Sequence, residues 1–235
     1  MENKLIYEFS SHKTDGEASL SNLLGGKGAN LAEMSKLAIE VPPGFTITTE
    51  VCNYFSHNNH LPEGLKEEIV NSVRNLESYS NKNFGEGKSP LLLSVRSGGM
   101  ISMPGMMDSI LNIGVNDENV VYLAEAFSDE RFALDSYRRL IQMYSNVVLG
   151  VDHERFEAVI ANKKRMDDVV SDADFNVDQL NWIINAYKNT VERFTGSEFP
   201  QDPYEQLLGA VEADLVVGKT KEQLHIEKSI IFQIH

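Results

Sequence analysis

The sequence predicts an α/β module followed by an all-helical module, and three observations lead to this fold class. Up to about residue 112, short apolar or β-branched runs alternate with helical patterns bounded by glycine or proline. From Asp117 onward the apolar residues recur with a period of 3.6. The length of 235 residues suffices for one large domain or two small ones. We therefore expect an α/β range at 1–112, a helical range at 113–197 and a remainder at 198–235.

The first half is predicted to alternate strands and helices. A strand in "KLIYEFS" precedes a glycine-rich turn and helix in "LLGGKGANLAEMSKLAIE". A Pro-Pro-Gly turn then leads into a β-branched strand from Phe45 to Thr48, with Thr48 or Thr49 as the cap of the next helix. Another helix is predicted over 62–79, and "PLLLSVRS" is predicted to be a buried strand. Asp108 is interpreted as the cap of a further helix.

The second half is predicted to consist of helices that each bury one apolar face. The stretches "RFALDSYRRLIQMYSNVVLG" and "DQLNWIINAYKNTVERF" both show helical spacing. The first face comprises Ala133, Tyr137, Leu140, Ile141, Tyr144 and Val148. The second face comprises Leu180, Ile183, Ile184, Tyr187, Val191 and Phe194. Asp178 or Asn176 is the expected cap of the second helix, and Pro203 is expected in the first turn of a last one.

Composition and charge narrow the function classes. The formal net charge of -14 argues against an extended nucleic-acid surface, because phosphate contacts need clustered Lys and Arg. It is compatible with a nucleotide pocket, which needs only one or two cations and Mg²⁺. Cys52 is the single cysteine and cannot form an internal disulfide, so a reducing compartment is expected. Since no run has the length of a signal peptide or a membrane span, we expect a cytoplasmic protein that does not bind membranes.

Two positions are candidates for phosphate binding. The segment "GGKGAN", Gly25–Asn30, is expected at a helix N-terminus, where backbone N–H groups and the helix dipole attract phosphate. Lys27 would add a positive charge there, but the segment is not a Walker A loop, and a purely structural turn accounts for the same residues. Arg96 ends a predicted strand. It is either a surface arginine beside a turn or a guanidinium that grips phosphate oxygens.

The segment after Arg96 is rich in methionine. Pro104 and Gly105 interrupt it, so its methionines cannot form a helical stripe. These methionines are Met100, Met103, Met106 and Met107. They either fill gaps in the core or form an apolar flap over a ligand. The six histidines show no metal spacing and no catalytic partner, and no pair of carboxylates stands out.

Four stretches carry a resemblance to a known family. "NLLGGKGANLAEMSKLAIEVPPGFTITTEVC" and "PLLLSVRSGGMISMPGMMDSILNIGVND" closely resemble the N-terminal region of the pyruvate, phosphate dikinase family. "RFALDSYRRLIQMYSNVVLGV" and "EFPQDPYEQLLGAVEA" extend the resemblance to about Ala213. The related phosphoenolpyruvate synthases share "GGKGANL" and "VRS" but continue differently, so the sequence resembles the dikinases more closely.

The resemblance implies the N-terminal half of an ATP-grasp nucleotide-binding fold, with the all-α helical subdomain inserted in it or following it. In the family, ATP, pyruvate and phosphate give AMP, phosphoenolpyruvate and diphosphate through a phosphohistidine, with Mg²⁺. By resemblance, Lys27 is the lysine of the glycine loop, Arg96 contacts the ATP phosphates, and Gly98–Met107 is the flap. The implied ATP-binding residues are Gly25, Gly26, Lys27, Gly28, Arg96, Ser97, Gly98, Gly99 and Met103.

The sequence also departs from the family pattern. No histidine stands in the setting of the family's phosphohistidine, and the Mg²⁺ ligands and the pyruvate-binding barrel of the family correspond to residues beyond this chain. We therefore expect the ATP-binding portion of a dikinase, without a catalytic residue of its own and inactive by itself, whose complete enzyme is a homodimer. The alternatives are a non-catalytic nucleotide-binding or regulatory module, a fragment similar to phosphoenolpyruvate synthase, and the product of a damaged gene.

The tail "DLVVGKTKEQLHIEKSIIFQIH" does not resemble the family, which continues with a pattern like S-W-x-N-x-R-A-I-x-Y-R. Val216–Lys228 can be reverse-translated so that the same nucleotides, read two positions later, spell S-W-E-N-K-R-A-I-T-Y-R-K-I. We therefore expect that an insertion or deletion near Asp214 shifted the reading frame. Residues after about Ala213 would then not have been selected to pack here, and we expect them to be exposed or poorly ordered in a marginally stable chain.

Overall fold

The structure is a computed structural model that describes residues 4–99, 109–220 and 228–234. Its strands are β1 (Ile6–Phe9), β2 (Gly44–Ile47), β3 (Asn83–Phe84), β4 (Pro90–Leu91), β5 (Leu93–Gly99), β6 (Ile110–Ile113) and β7 (Lys228–Ile234). Its α-helices are α1 (Ser21–Lys36), α2 (Thr49–Asn58), α3 (Leu65–Ser80), α4 (Val120–Phe127), α5 (Glu130–Val147), α6 (His153–Asp167), α7 (Val177–Thr195) and α8 (Pro203–Thr220). The mixed α/β class predicted from the sequence is confirmed.

The contacts divide the chain into two compact units, and neither unit is continuous in sequence. Unit 1 takes its described residues from Met1–Lys82, Leu93–Ser109 and Leu207–His235, and unit 2 takes them from Asn83–Leu92 and Ile110–Gln206. Unit 2 thus combines helices α4 to α7 with short strands from earlier in the chain. The domain ranges 1–112, 113–197 and 198–235 stay predictions.

Unit 1 contains an antiparallel sheet whose strands follow one another in the order β1-β2-β7-β5. The register places Thr46 of β2 opposite Ile231 of β7, and Ile231 opposite Arg96 of β5. Directly opposed residues of antiparallel strands project from the same face, so these three side chains form one row. Helix α1 covers this face, because its Ala32 packs with Phe9 and Ile231 in one buried cluster.

The other face of this sheet packs against α3. Phe45 and Phe232 are paired across β2 and β7, and their buried rings stack with centroids 4.3 Å apart. Glu8 lies opposite Phe45 in the register. Its carboxylate accepts hydrogen bonds from Asn75 at 2.7 Å and from Tyr79 at 3.2 Å, and both donors belong to α3. The sheet of unit 1 is therefore covered by a helix on each face.

The helices of unit 2 bury the faces that the sequence predicts, with two exceptions. The predicted face of α5 is buried from Ala133 to Tyr144, and that of α7 from Leu180 to Val191. Val148 is one exception, because it is only partly buried and follows the last residue of α5. Phe194 is the other, because it is 44% exposed, and its ring centroid lies 3.6 Å from Cζ of Arg155. Asn176 is confirmed as the cap of α7, where its side chain accepts a hydrogen bond from the backbone N–H of Gln179. Pro203 is confirmed as the first residue of α8.

The helix predicted after Asp108 is wrong. Asp108 lies outside the described residues, and the segment that follows it forms the four-residue strand β6. Ile110 and Ile113 are buried in it, and Gly114 then turns the chain with a φ of 107°. Four residues before a glycine turn are too few for a stable helix, whereas β-branched isoleucines favour a strand.

The expectation of an exposed tail is also wrong for the described part of it. Strand β7 lies between β2 and β5 and pairs with both. Its residues from Ser229 to Phe232 are fully or almost fully buried. Ile230, Ile231 and Phe232 are β-branched or aromatic, and such residues favour strands. Three consecutive apolar residues are typical of a strand that is buried on both faces. This part of the tail therefore completes the sheet of unit 1.

Candidate functional site

The predicted glycine-rich turn is present inside α1. Gly25 has a φ of 66° and a ψ of 164°, a non-helical conformation that interrupts the helix and that side-chain-bearing residues rarely adopt. Helical structure resumes immediately and continues to Lys36. Gly26 and Lys27 therefore begin the second helical segment. The backbone N–H groups of a helix start have no partners within the helix and can bind an anion.

Gly26 and Gly28 stand in different surroundings. A Cβ atom on Gly28 would lie only 2.9 Å from both Cγ2 and Oγ1 of Thr46, so the missing side chain lets α1 lie directly on β2. A Cβ atom on Gly26 would meet none of the described residues within 4 Å, which leaves the backbone open to them on that side. The side chain of Lys27 between them is exposed. Gly28 thus serves packing, whereas Gly26 and Lys27 are accessible to a ligand.

Arg96 projects from the same face of the sheet as these glycines. It belongs to the row of Thr46, Ile231 and Arg96, and Thr46 is the residue on which Gly28 packs. Two strand spacings separate Thr46 from Arg96, which is about 10 Å. Arg96 is partly buried, and its Nε atom is buried without a hydrogen-bond partner among the described residues. The guanidinium thus retains hydrogen-bonding capacity on the face where the glycine turn lies.

Ser229 fixes the glycine turn to the sheet. Its hydroxyl donates a hydrogen bond to the backbone oxygen of Leu24, the residue before Gly25, with 2.5 Å between the two oxygens. In the register Ser229 lies opposite Gly98 of β5. The start of the glycine turn is therefore held beside the strand that carries Arg96. Sequence reasoning missed Ser229, because the tail was expected to be exposed.

Further buried hydroxyl groups near this row lack partners. The Oγ atoms of Thr46, Thr48 and Ser94 are buried and have no hydrogen-bond partner among the described residues. Ser94 lies two residues before Arg96 and therefore on the same face of β5. Each unsatisfied buried polar group costs about 1–3 kcal/mol, so several of them in one region mark a polar site within the sheet. Sequence reasoning missed this group, since isolated Thr and Ser in strands carry no distinguishing pattern.

The structure places most of the predicted binding residues on the sheet or the glycine turn. Gly25, Gly26, Lys27, Gly28 and Arg96 are located as described above. The backbone of Ser97, Gly98 and Gly99 continues β5 beyond Arg96. Met103 and the predicted flap from 100 to 107 lie outside the described residues. Within 4–99, 109–220 and 228–234, no group of three or more His, Cys, Asp or Glu side chains could hold a metal ion. Over the same residues no helix is long and apolar enough to cross a membrane.

Comparison with known proteins links this site to one family. Residues 21–83, which include the glycine turn and β2, match the family model described as "Pyruvate phosphate dikinase, AMP/ATP-binding domain". The pyruvate, phosphate dikinase of Rickettsia conorii is 47% identical over 213 residues, which is 90% of this chain and 24% of that protein. The pyruvate, phosphate dikinase of Rhizobium meliloti is 46% identical over 211 residues, 89% of this chain and 24% of that protein. The chain thus spans about a quarter of the length of these curated relatives.

The comparisons differ in how far they follow the tail. The match with the pyruvate, phosphate dikinase of Rickettsia typhi is 46% identical over 228 residues, 96% of this chain and 26% of that protein. It therefore extends beyond Ala213 into the segment that was expected to depart from the family, whereas the other two matches cover about nine-tenths of the chain. The reading-frame shift stays a prediction. The matches together confirm that this chain resembles the pyruvate, phosphate dikinases and that the resemblance includes their AMP/ATP-binding domain.

Proposed function

We propose that this chain forms the first half of an ATP-grasp nucleotide site and acts as the ATP-binding portion of a pyruvate, phosphate dikinase. The complete enzyme would convert ATP, pyruvate and phosphate to AMP, phosphoenolpyruvate and diphosphate, as a cytoplasmic homodimer. The Mg²⁺ ligands, the phosphohistidine and the pyruvate site would lie in parts of the enzyme that this chain does not contain. The chain by itself would have no catalytic activity.

The observation that carries this proposal is the common placement of the glycine turn and Arg96. Both lie on one face of the unit 1 sheet, because Gly28 packs on Thr46, which stands in one row with Arg96. The open backbone at Gly26 suits close approach of a phosphate to a helix start. Lys27 would supply a mobile positive charge, and the planar fork of Arg96 would bind two phosphate oxygens. In phosphoryl transfer such groups act by positioning and by stabilising developing negative charge.

The remaining binding residues are assigned by the same proposal. The backbone of Ser97, Gly98 and Gly99 would follow the phosphates away from Arg96, and Met103 would belong to an apolar flap that covers them. Exclusion of water by such a flap strengthens charge interactions inside the site. The hydroxyl groups of Thr46 and Ser94 would lie beneath the nucleotide and form the polar base of the site. Mg²⁺ would be bound opposite this half, by residues of the second half of the ATP-grasp fold.

Reconstitution tests the proposal. A chimera would join residues 1–213 of this chain to the remainder of the Rhizobium meliloti dikinase, whose corresponding portion is 46% identical. The chimera lacks β7 of this chain, so the dikinase remainder would have to supply the strand between β2 and β5. We expect the chimera to form phosphoenolpyruvate and diphosphate from ATP, pyruvate and phosphate, and the 235-residue chain alone to form neither. A folded, dimeric chimera without activity would favour the non-catalytic alternative and would contradict the proposal.

ATP binding to the isolated chain gives a second test. This chain contains only the first half of the proposed nucleotide site. We therefore expect calorimetry to show a dissociation constant for Mg-ATP well above ~1 μM, the value at which the binding free energy is about 8 kcal/mol. A dissociation constant at or below ~1 μM would show that this chain holds a complete nucleotide site. The half-site proposal would then be wrong.

A further inference from the structure

Unit 2 carries an exposed apolar patch on the hairpin of helices α4 and α5, which the nucleotide site does not use. Val121 is 53% exposed, Phe127 is 56% exposed and Phe132 is 43% exposed. The rings of Phe127 and Phe132 are in contact, with centroids 4.9 Å apart. Single exposed apolar residues are ordinary on protein surfaces, whereas a contiguous apolar patch commonly marks an interaction site.

A groove of about 430 Å³ lies on the same hairpin. Its apolar lining comes from both helices and comprises Val120, Val121, Ala124, Ala133 and Leu134. Ala124 and Ala133 have small side chains, which leave space between the two helices. The helices lie next to each other because only Ser128 and Asp129 connect them. The groove is therefore a concave surface between two consecutive helices.

The rim of this groove is acidic. Glu125, Asp129 and Glu130 line it, and none of the described residues that line it is a lysine, arginine or histidine. Asp129 is engaged at the start of α5, where its carboxylate accepts a hydrogen bond from the backbone N–H of Phe132 at 2.9 Å. The side-chain carboxylates of Glu125 and Glu130 make no hydrogen bond or ion pair with any described residue. Two unpaired carboxylates thus stand beside an apolar groove.

We propose that this groove binds a basic amphipathic helix from another protein chain. Apolar side chains at helical spacing would enter the groove, and lysines or arginines beside them would pair with Glu125 and Glu130. Helix α4 has eight residues and is about 12 Å long, so it matches two to three turns of a bound helix. A second copy of this chain is a poor occupant because each copy has a net charge of -14, and an anionic membrane surface would be repelled by the same rim.

Fluorescence anisotropy with designed peptides tests this proposal on the 235-residue chain. The probe is a labelled helical peptide with leucines on one face and lysines flanking them. Two matched probes carry glutamates in place of the lysines, or the same basic composition in scrambled order. We expect the basic amphipathic peptide to bind at least about tenfold (~1.4 kcal/mol) more tightly than either matched probe. The binding should weaken with added salt. Equal binding of the scrambled basic peptide would show non-specific attraction to an acidic protein and would overturn the proposal.

Variants of the chain locate the bound peptide. Val121→Ser, at a groove residue that is 53% exposed, should weaken binding about tenfold or more, whereas Val216→Ser, at a residue of α8 that is 50% exposed, should leave it unchanged. The double variant Glu125→Lys/Glu130→Lys should switch the preference to the acidic peptide, and Glu154→Lys/Glu192→Lys should not. If Val121→Ser and Val216→Ser have equal effects on folded protein, the groove is not the site. Concentration-dependent dimerisation that Val121→Ser abolishes would instead identify a second copy as the occupant of the groove. Binding to lipid vesicles that Val121→Ser abolishes would identify a membrane, and either result would also overturn the proposal.

Discussion

The hydroxyl of Ser229 donates a hydrogen bond to the backbone oxygen of Leu24, and 2.5 Å separates the two oxygens. These residues lie 205 positions apart in the sequence. Leu24 is the last residue before the non-helical Gly25, so the bond joins strand β7 to the point where the glycine turn begins. A residue near the end of the chain therefore fixes the position of a segment near its start.

Ser229→Ala should lower the free energy of unfolding by about 1–3 kcal/mol, because it leaves the buried oxygen of Leu24 with one partner fewer. Urea unfolding followed by circular dichroism measures this change. Ser56→Ala is the matched control, since the Ser56 hydroxyl also donates to a backbone oxygen, that of Asn53, but at an exposed site. The control should cost less than about 0.5 kcal/mol. Equal small effects of both variants would mean that Ser229 is not buried against α1.

Phe232→Ala should lower the free energy of unfolding by about 3–5 kcal/mol. The side chain of Phe232 is fully buried and stacks on Phe45, so its removal leaves a cavity in the sheet of unit 1. Phe194→Ala, at a ring that is 44% exposed, should cost much less. A near-zero effect of Phe232→Ala in denaturant unfolding would restore the idea of an exposed tail.

Gly28→Ala and Gly26→Ala should have opposite effects on stability. The new methyl group at 28 would lie 2.9 Å from two atoms of the buried Thr46 and should cost about 1–3 kcal/mol. The new methyl group at 26 enters open space in a helical segment and should raise stability by up to about 0.5–1 kcal/mol. Thermal unfolding of both variants checks this. A stable Gly28→Ala variant would show that α1 does not pack closely on β2.

Arg138 and Arg139 bind the same carboxylate in different environments. Arg138 Nη2 lies 2.7 Å from Oδ1 of Asp135 and its side chain is 4% exposed, whereas Arg139 Nε lies 2.9 Å from Oδ2 and its side chain is 60% exposed. Burial alone would lower the pKa of Arg138, but the charge of Asp135 raises it above its usual value, so the guanidinium stays charged. We expect Arg138→Ala to cost about 3–5 kcal/mol and Arg139→Ala at most about 1 kcal/mol. Chemical unfolding measures both, and similar costs would mean that Arg138 is not buried in unit 2.

The sequence predicts the local elements well because their signals are local. Apolar residues at helical spacing, such as Leu180 and Ile184 in α7, identify a helix and its buried face within one stretch of chain. Gly25 and Gly26 likewise mark a turn wherever they stand. Phe194 is the informative failure, because its position fits the apolar face of α7 but the last turn of a helix can extend past the surface that covers the rest.

The sheet of unit 1 could not be predicted in the same way. Strand β7 lies between β2 and β5, so the row that joins Thr46 to Arg96 passes through Ile231 of the tail. Such pairings depend on contacts far apart in sequence, and no periodicity within one segment reveals them. Arg96 and Lys27 are recognisable as candidates from their positions at the ends of predicted elements. Thr46 and Ser229 become candidates only once β7 is seen to pair with β2 and β5.

The central claim is that Arg96 and the glycine turn bind the phosphates of one ATP, and the steady-state kinetics of the chimera with residues 1–213 test it most directly. Arg96→Ala should lower the rate of diphosphate formation by about 10²–10³-fold, equivalent to about 3–4 kcal/mol of transition-state stabilisation. Arg74→Ala, at an exposed arginine on α3 whose Nη1 donates a hydrogen bond to Asn71 at 3.4 Å, should leave the rate within about twofold. Equal rates for the Arg96 and Arg74 variants, both folded, would remove Arg96 from the nucleotide site and contradict the account.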